Sequence, residues 1–229
     1  MPDSTIYAVW MSDFVTLYLH INSISNWADA RGDASTASSG RVPDSTTYTA
    51  SILSAYQASR GGATWFNRRV YMGFDVSGES GTVDSATVKV FLDNYGDTGN
   101  YARVVMVEST ALEGSTADYG NCFSTGSTLG DLMASYVEVS TTAGFHDFEL
   151  NSDGISALNA KIGSGIFEVC FMSNVFDYGN YDPNDGSGNY TQIAFTFAEK
   201  AGIVQDPRIE IDYESIATTE NATFFGANF

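Results

Sequence analysis

The chain has 229 residues, 43% of them hydrophobic and 14% aromatic, with 22 glycines and only 4 prolines, which suits one all-β domain, or one with an extra arm, and makes disorder no default reading. Its 28 acidic residues against 10 basic ones leave a formal net charge of −18. Such a surface repels nucleic-acid phosphates and anionic lipid, so neither nucleic acid nor membrane is expected as a partner, while solubility, cations or a salty medium all suit it.

The first residues, MPDSTIYAVWMSDF, lack the basic and apolar regions of a secretory leader, so the expectation is either no export by that route or a leader that precedes this sequence. No apolar run reaches the roughly 18 residues of a membrane span. Ile6 to Met11 is a short apolar run, and Val15, Leu17, Leu19 and Ile21 then alternate with Phe14, Thr16, Tyr18 and His20. That predicts two close strands or one bent one, with Trp10, Phe14 and Tyr18 making the less buried side aromatic, as in a docking strand. Residues 22–62 thin into Ser, Thr, Ala, Gly and Asp and read as long loops, with a strand over Tyr48–Tyr56. Arg31-Gly32-Asp33 spells the tripeptide that integrins read, but three residues recur by chance and no function is taken from them.

The most regular stretch is Arg68–Leu92. Val70, Met72, Phe74 and Val76 alternate with Arg69, Tyr71, Gly73 and Asp75. After the turn-rich SGESGTVDS, Ala86, Val88, Val90 and Leu92 alternate with Thr87, Lys89, Phe91 and Asp93. The two-residue period predicts two strands, each with one dry face, forming half of a sandwich sheet. Arg69 and Asp75 are read as buried or edge polar groups, each with an internal partner.

Ala102–Glu108 is a near-continuous apolar run that predicts a central strand. Leu129, Leu132 and Met133 are the apolar cluster of the polar region that follows, and short strands are expected at Tyr136–Val139 and Phe145–Leu150. One helix is predicted, capped by Ser152 or Asp153, with Ile155, Leu158 and Ile162 on its apolar face and Gly163–Gly165 ending it. It would plug one end of the sandwich. Further strands are expected around Phe167, Val169 and Phe171, around Ile193, Phe195 and Phe197, and around Ile209, Ile211 and Tyr213. Cys122 and Cys170 are expected to be half-buried thiols, since spacing alone does not show pairing.

No catalytic signature is present. His20 and His146 each sit in a predicted strand, away from any nucleophile elbow, paired-histidine metal motif or Cys-x-x-Cys. A pair of glycosidase carboxylates is a spatial arrangement that a sequence does not reveal, and abundance of acids is not evidence for one, so the chain is read as non-enzymatic. Asp177, Asn180, Asp182, Asn184 and Asp185, with Gly179, Gly186 and Gly188 among them, offer hard oxygen ligands for calcium, the one cofactor considered. The competing reading is an ordinary polar loop, and the order lacks the final glutamate and flanking helices of an EF-hand. Asp93, Asn94, Asp97 and Asn100 invite the calcium reading with less force. Tyr95, Tyr101, Tyr178, Tyr181 and Tyr190 fall in predicted loops, where rings can stack on sugar faces beside amides and carboxylates. The last stretch, Glu214–Phe229, ends in ATFFGANF. Phe224, Phe225 and Phe229 would each contribute about 1.5–3 kcal/mol on burial, so together with Trp10 and Phe14 they are the candidate partner-binding residues.

RRVYMGFDVSGESGTVDSATVKVFL, together with FHDFELNSDGISALNAKIGSGIFEVCF, IAFTFAEKAG and the closing DPRIEIDY, resembles the ordered motifs of DNRLRE-type domains over about Trp27 to Tyr213. The resemblance implies a jelly-roll β-sandwich similar to carbohydrate-binding modules, of a kind found in secreted bacterial and archaeal proteins and among phage virion proteins. The expected organisation is an N-terminal extension with docking strands over residues 1–26, the sandwich over 27–213 and an aromatic arm over 214–229. The expected role is a virion structural protein, a capsid decoration or a head or tail accessory, bound to the major capsid or another virion protein and to sister copies in a homo-oligomer. The alternative is a carbohydrate-binding module of a secreted or cell-surface protein, with a surface glycan as its partner.

Overall fold

The alternating stretches become strands that are longer than their apolar residues alone suggest. The computed structural model describes residues 3–7, 17–23, 27, 39–41, 49–59, 62–97, 102–109, 122–125, 128–139, 142–184, 190–196 and 205–214. These form β1 (Ser4–Tyr7), β2 (Leu17–Ser23), β3 (Ser39–Arg41), β4 (Thr49–Ser59), β5 (Gly62–Asp75), β6 (Val83–Asp97) and β7 (Arg103–Glu108). There follow β8 (Phe123–Thr125), β9 (Thr128–Leu129), β10 (Val137–Glu138), β11 (Gly144–Glu149), helix α1 (Ser152–Asn159), β12 (Ile166–Ser173), a π-helical turn (Asn174–Tyr178), β13 (Tyr190–Thr196) and β14 (Arg208–Tyr213). Among the described residues the fold is all-β and antiparallel, an open sandwich with a short α-helix after β11, as the alternation predicts for the strands.

Neighbouring strands run β1-β14-β6-β13-β4-β5-β12-β7-β10, with β11 beside β6, β2 beside β5 and β3 on β2. This sheet folds over on itself. Phe171 of β12 lies 5.2 Å from Phe195 of β13 and 5.3 Å from Phe148 of β11, ring centre to ring centre. Around these rings pack Val70, Met72, Phe74, Val88, Val90, Leu92, Met106, Val169, Ile193, Ile209 and Ile211, all buried.

The two strands of the Arg68–Leu92 stretch do not pair with each other. β5, 14 residues long, pairs with β4 as far as Arg68 and with β12 from Val70 onward. β6, 15 residues long, pairs with β14 up to Lys89 and with β13 from Leu92. Alternation reports which face of a strand is dry, not which strand lies beside it. Along β5 the burial pattern also changes phase. Trp65, Asn67 and Arg69 are buried in its first half, and Val70, Met72 and Phe74 in its second. The change falls where β5 leaves β4 and joins β12, so one strand serves both halves of the sandwich.

β12 and β7 are covered on both faces, which explains their unbroken apolar runs. Val70, Phe171 and Met106 form one cross-strand row toward the aromatic core. The adjacent row on the opposite face is Tyr71, Cys170 and Val107. Both cysteines are fully buried rather than half-buried, because this second face is itself covered.

The described strands of the expected N-terminal extension hydrogen-bond into the sheet: β1 pairs with β14 and β2 with β5. At the β1–β14 corner the Asp3 amide donates to Asp212 Oδ1 (3.2 Å) and the Tyr213 amide donates to Asp3 Oδ2 (3.0 Å). Trp10, Phe14, the Arg31-Gly32-Asp33 tripeptide, Phe197 and the arm beyond Glu214 lie outside the described residues.

The helix is capped one residue earlier than the sequence suggests. Ser152 and Asp153 are already helical, and Asn151, in extended backbone, accepts from the amides of Asp153 (3.0 Å) and Gly154 (2.9 Å). Its own amide group donates to the Leu132 carbonyl (2.6 Å), which asparagine can do and serine cannot do as well. Leu158 enters the core, with Ile155 and Ile162 partly buried against it. Gly163, at φ 73°, turns the chain toward β12.

Candidate functional site

An arginine buried in a sandwich needs a counter-charge, and on β5 none is within reach. Arg69 finds Asp177, on the π-helical turn after β12. Nε and Nη2 of the guanidinium donate to Oδ2 (2.6 Å) and Oδ1 (2.7 Å) of the carboxylate. Neither side chain reaches solvent. The turn is what delivers Asp177. Ser173 Oγ accepts from the Phe176 amide (3.2 Å), the Gly179 amide donates to the Asn174 carbonyl (2.9 Å), and the wide five-residue spacing swings residue 177 inward. A Cβ at residue 179 would stand 2.7 Å from the Val175 carbonyl, so the turn requires glycine there. Beside the pair runs a buried polar row across β13, β4 and β5, Thr191, Ser54 and Asn67, in which Ser54 Oγ donates to Asn67 Oδ1 (2.9 Å).

The two thiols adjoin this pair. Tyr71, two residues from Arg69, donates its hydroxyl proton to Cys122 Sγ (3.7 Å) and lies opposite Cys170 in the β5–β12 register. Cys122 and Cys170 therefore adjoin the same tyrosine. Burial pushes the Cys122 thiol up, but the Cys170 side chain and the Arg69 charge outweigh it and bring it down to about 7. Burial and the Cys122 neighbour push Cys170 up. The Cys122 carbonyl accepts from the Gly130 amide (2.7 Å), and a Cβ at residue 130 would stand 3.1 Å from the Glu108 carbonyl. Arg69, Tyr71, Cys122, Cys170 and Asp177 are therefore one buried, polar knot.

The surface residues of interest lie at the end of the sandwich where β5 and β13 begin. Trp65 Nε1 donates to Asp182 Oδ1 (2.8 Å), which also accepts from the Asn184 amide (2.8 Å). Tyr181, exposed at 40%, sets its ring 6.0 Å from that of Phe176. Tyr190, exposed at 37%, opens β13 and lies over Gly96, where a Cβ would stand 2.8 Å from its hydroxyl. Ala55 pairs with both Tyr190 and Phe66, so Tyr190 and Phe66 share a cross-strand row, while Trp65 faces the other side of the sheet. Tyr178 is half-buried in the π-helical turn. Tyr95 is part of β6 but its side chain lies outside the described residues, as does the whole of Tyr101.

The oxygens considered for calcium separate. Asp177, expected in a solvent-facing loop, is instead the buried partner of Arg69, because the first part of that loop is a π-helical turn. Asn180 is exposed with φ 54°, Asp182 is held by Trp65, Asn184 is half-buried, and Asp185 lies outside the described residues. Asp93 and Asp97, like the backbone of Asn94, belong to β6, and Asn100 lies outside. Among the described residues no group of three or more His, Cys, Asp or Glu is placed to hold a metal ion. His146 Nδ1 lies 3.0 Å from the Gly144 carbonyl.

One surface cluster was not foreseen. On the outer face of β14, β6 and β11, Arg208 lies 4.7 Å over the Phe145 ring, which meets Phe91 edge-on at 5.5 Å. Lys89 bridges Glu210 (3.0 Å) and Asp147 (3.4 Å) alongside. The alternation assigns these residues outward, but their meeting depends on the order β14-β6-β11, which no local signal carries. The partner-binding candidates Phe224, Phe225 and Phe229, like Trp10 and Phe14, lie outside the described residues. No protein-family model matches the chain, and no match is found among curated proteins.

Proposed function

We propose that the chain is a non-enzymatic structural protein of a phage particle, carried on the virion surface and bound to the shell protein and to sister copies through its terminal segments. The observation that carries this reading is the β1–β14 corner, where Asp3 and Tyr213 are hydrogen-bonded. Glu214, which precedes the segment carrying the three phenylalanines in sequence, stands next to that corner and follows Tyr213, whose amide donates to Asp3. The resemblance to domains found in virion proteins supports it, and a net charge of −18 would keep decorated particles apart. The shortest ion pair among the described residues, Arg69–Asp177, is buried and internal, which favours a scaffold over a catalyst.

The test is co-sedimentation of the full chain, and of a chain ending at Tyr213, with shells of the phage that encodes it. The full chain is expected to bind at least tenfold more tightly. Equal binding removes the arm from the docking role, and no binding by the full chain overturns the particle reading.

A second reading, a carbohydrate-binding module, is favoured by the exposed Tyr181 ring next to an Asp182 held in place by Trp65. A glycan array with wild type and the double variant Tyr178→Ala/Tyr181→Ala separates the two. Specific binding that the variant loses would displace the purely structural reading.

A further inference from the structure

We propose that Cys122 and Cys170 are a reversible dithiol–disulfide site, oxidised by exchange with a small-molecule disulfide of the glutathione class, whose bond pins the segment bearing Cys122 to the sheet. The two side chains come from separate parts of the chain. Cys170 stands in the Tyr71–Cys170–Val107 row, on the face opposite the aromatic core. Cys122 lies against that row, its sulfur 3.7 Å from the Tyr71 hydroxyl. Both cysteines thus flank Tyr71 on one buried face, and a bond between them needs their Cα atoms within about 7 Å.

What the bond would fix is also on view. Cys122 immediately precedes β8, and β8 and β9 pair with each other but, among the described residues, with no strand of the main sheet. That hairpin is tied back through the Gly130 amide to the Cys122 carbonyl and, just beyond it, the Glu108 amide to the Asp131 carbonyl. A covalent link at Cys122 would hold its base directly to β12.

The exchange balances. The Cys122 thiolate attacks one sulfur of the small disulfide and expels one small thiolate. Cys170 then attacks the Cys122 sulfur and expels the second. The protein gives up two electrons and two protons, and the disulfide becomes two thiols. Because both cysteines are buried, the first step requires the hairpin to lift, and its rate follows that local opening.

The full chain is incubated with oxidised glutathione, denatured, alkylated and weighed intact. The expected product has lost the mass of two hydrogens, carries no alkyl group and regains two alkylatable thiols on reduction. It melts roughly 5–10 °C higher than the reduced form. Cys122→Ser and Cys170→Ser are each expected to give no such product. Two alkylatable thiols after oxidation, in buffer or in urea below the unfolding transition, overturn the proposal. So do a glutathione adduct that persists without resolving and a disulfide that links two chains. An oxidised form that melts no higher overturns the pinning.

Discussion

Arg69 and Asp177, 108 residues apart in sequence, are joined by two charge-assisted hydrogen bonds of 2.6 and 2.7 Å inside the sandwich. Removing either partner leaves the other charge buried without compensation, which costs about 3–5 kcal/mol. Arg69→Met and Asp177→Asn should each lower stability by that amount in urea unfolding. The double variant Arg69→Met/Asp177→Leu should lose less than the sum. Arg69→Lys should also destabilise, since an ammonium cannot reproduce the two-pronged contact. Single variants within about 1 kcal/mol of wild type would mean that the pair opens to water.

Alkaline pH should loosen the corner where β14 ends. Burial, and then the hydrogen bond to Glu79 (2.7 Å), push the Tyr213 hydroxyl above its ordinary value of 10.0. The folded protein therefore holds this proton more tightly than the unfolded chain does. Its contribution is complete below that ordinary value and is lost as pH rises past it. Melting temperature measured from about pH 8 to 12 should fall more steeply for wild type than for Tyr213→Phe. Superimposable curves would remove Tyr213 from the account.

Loss of the helix cap should be felt beyond the helix. Asn151→Ala removes the acceptor for two amides and the donor to Leu132, and a destabilisation of about 1–2 kcal/mol is expected. Asn151→Asp, which keeps the acceptor and loses the donor, should fall between the two. If it matches the alanine variant, the bond to Leu132 carries the effect.

Gly154→Ala should reverse the usual sign. Glycine to alanine within a helix ordinarily stabilises by roughly 0.5–1 kcal/mol. Here the new Cβ would stand 2.5 Å from the Met133 carbonyl, so the helix start or that carbonyl must shift. A loss of about 1–3 kcal/mol is expected. A variant at least as stable as wild type would show that the helix can back away from Met133.

The strand faces were legible because burial of one side leaves a mark at every second residue: Val70, Met72, Phe74, Val88, Val90 and Leu92 all entered the core. Strand partners were not legible, since pairing is decided by the whole sheet, and the two most regular strands turned out not to touch as a pair. Arg69, read as a buried or edge group with an internal partner, is buried, and its partner was hidden in what looked like an acidic loop, whereas Asp75 accepts from the Ser77 amide at the surface. Asn151 was missed for a smaller reason: three capping-type residues stand in a row, and only the contact with Leu132 selects among them.

β5 bonds to β4 through Arg68 and to β12 from Val70, so the halves of the sandwich share a covalent backbone as well as a core. Melting of either half leaves the other holding one end of a strand whose remainder has lost its partner. Amide exchange across β4, β5, β12 and β13 should therefore proceed through a single opening, with a common protection level and one denaturant dependence for all four strands.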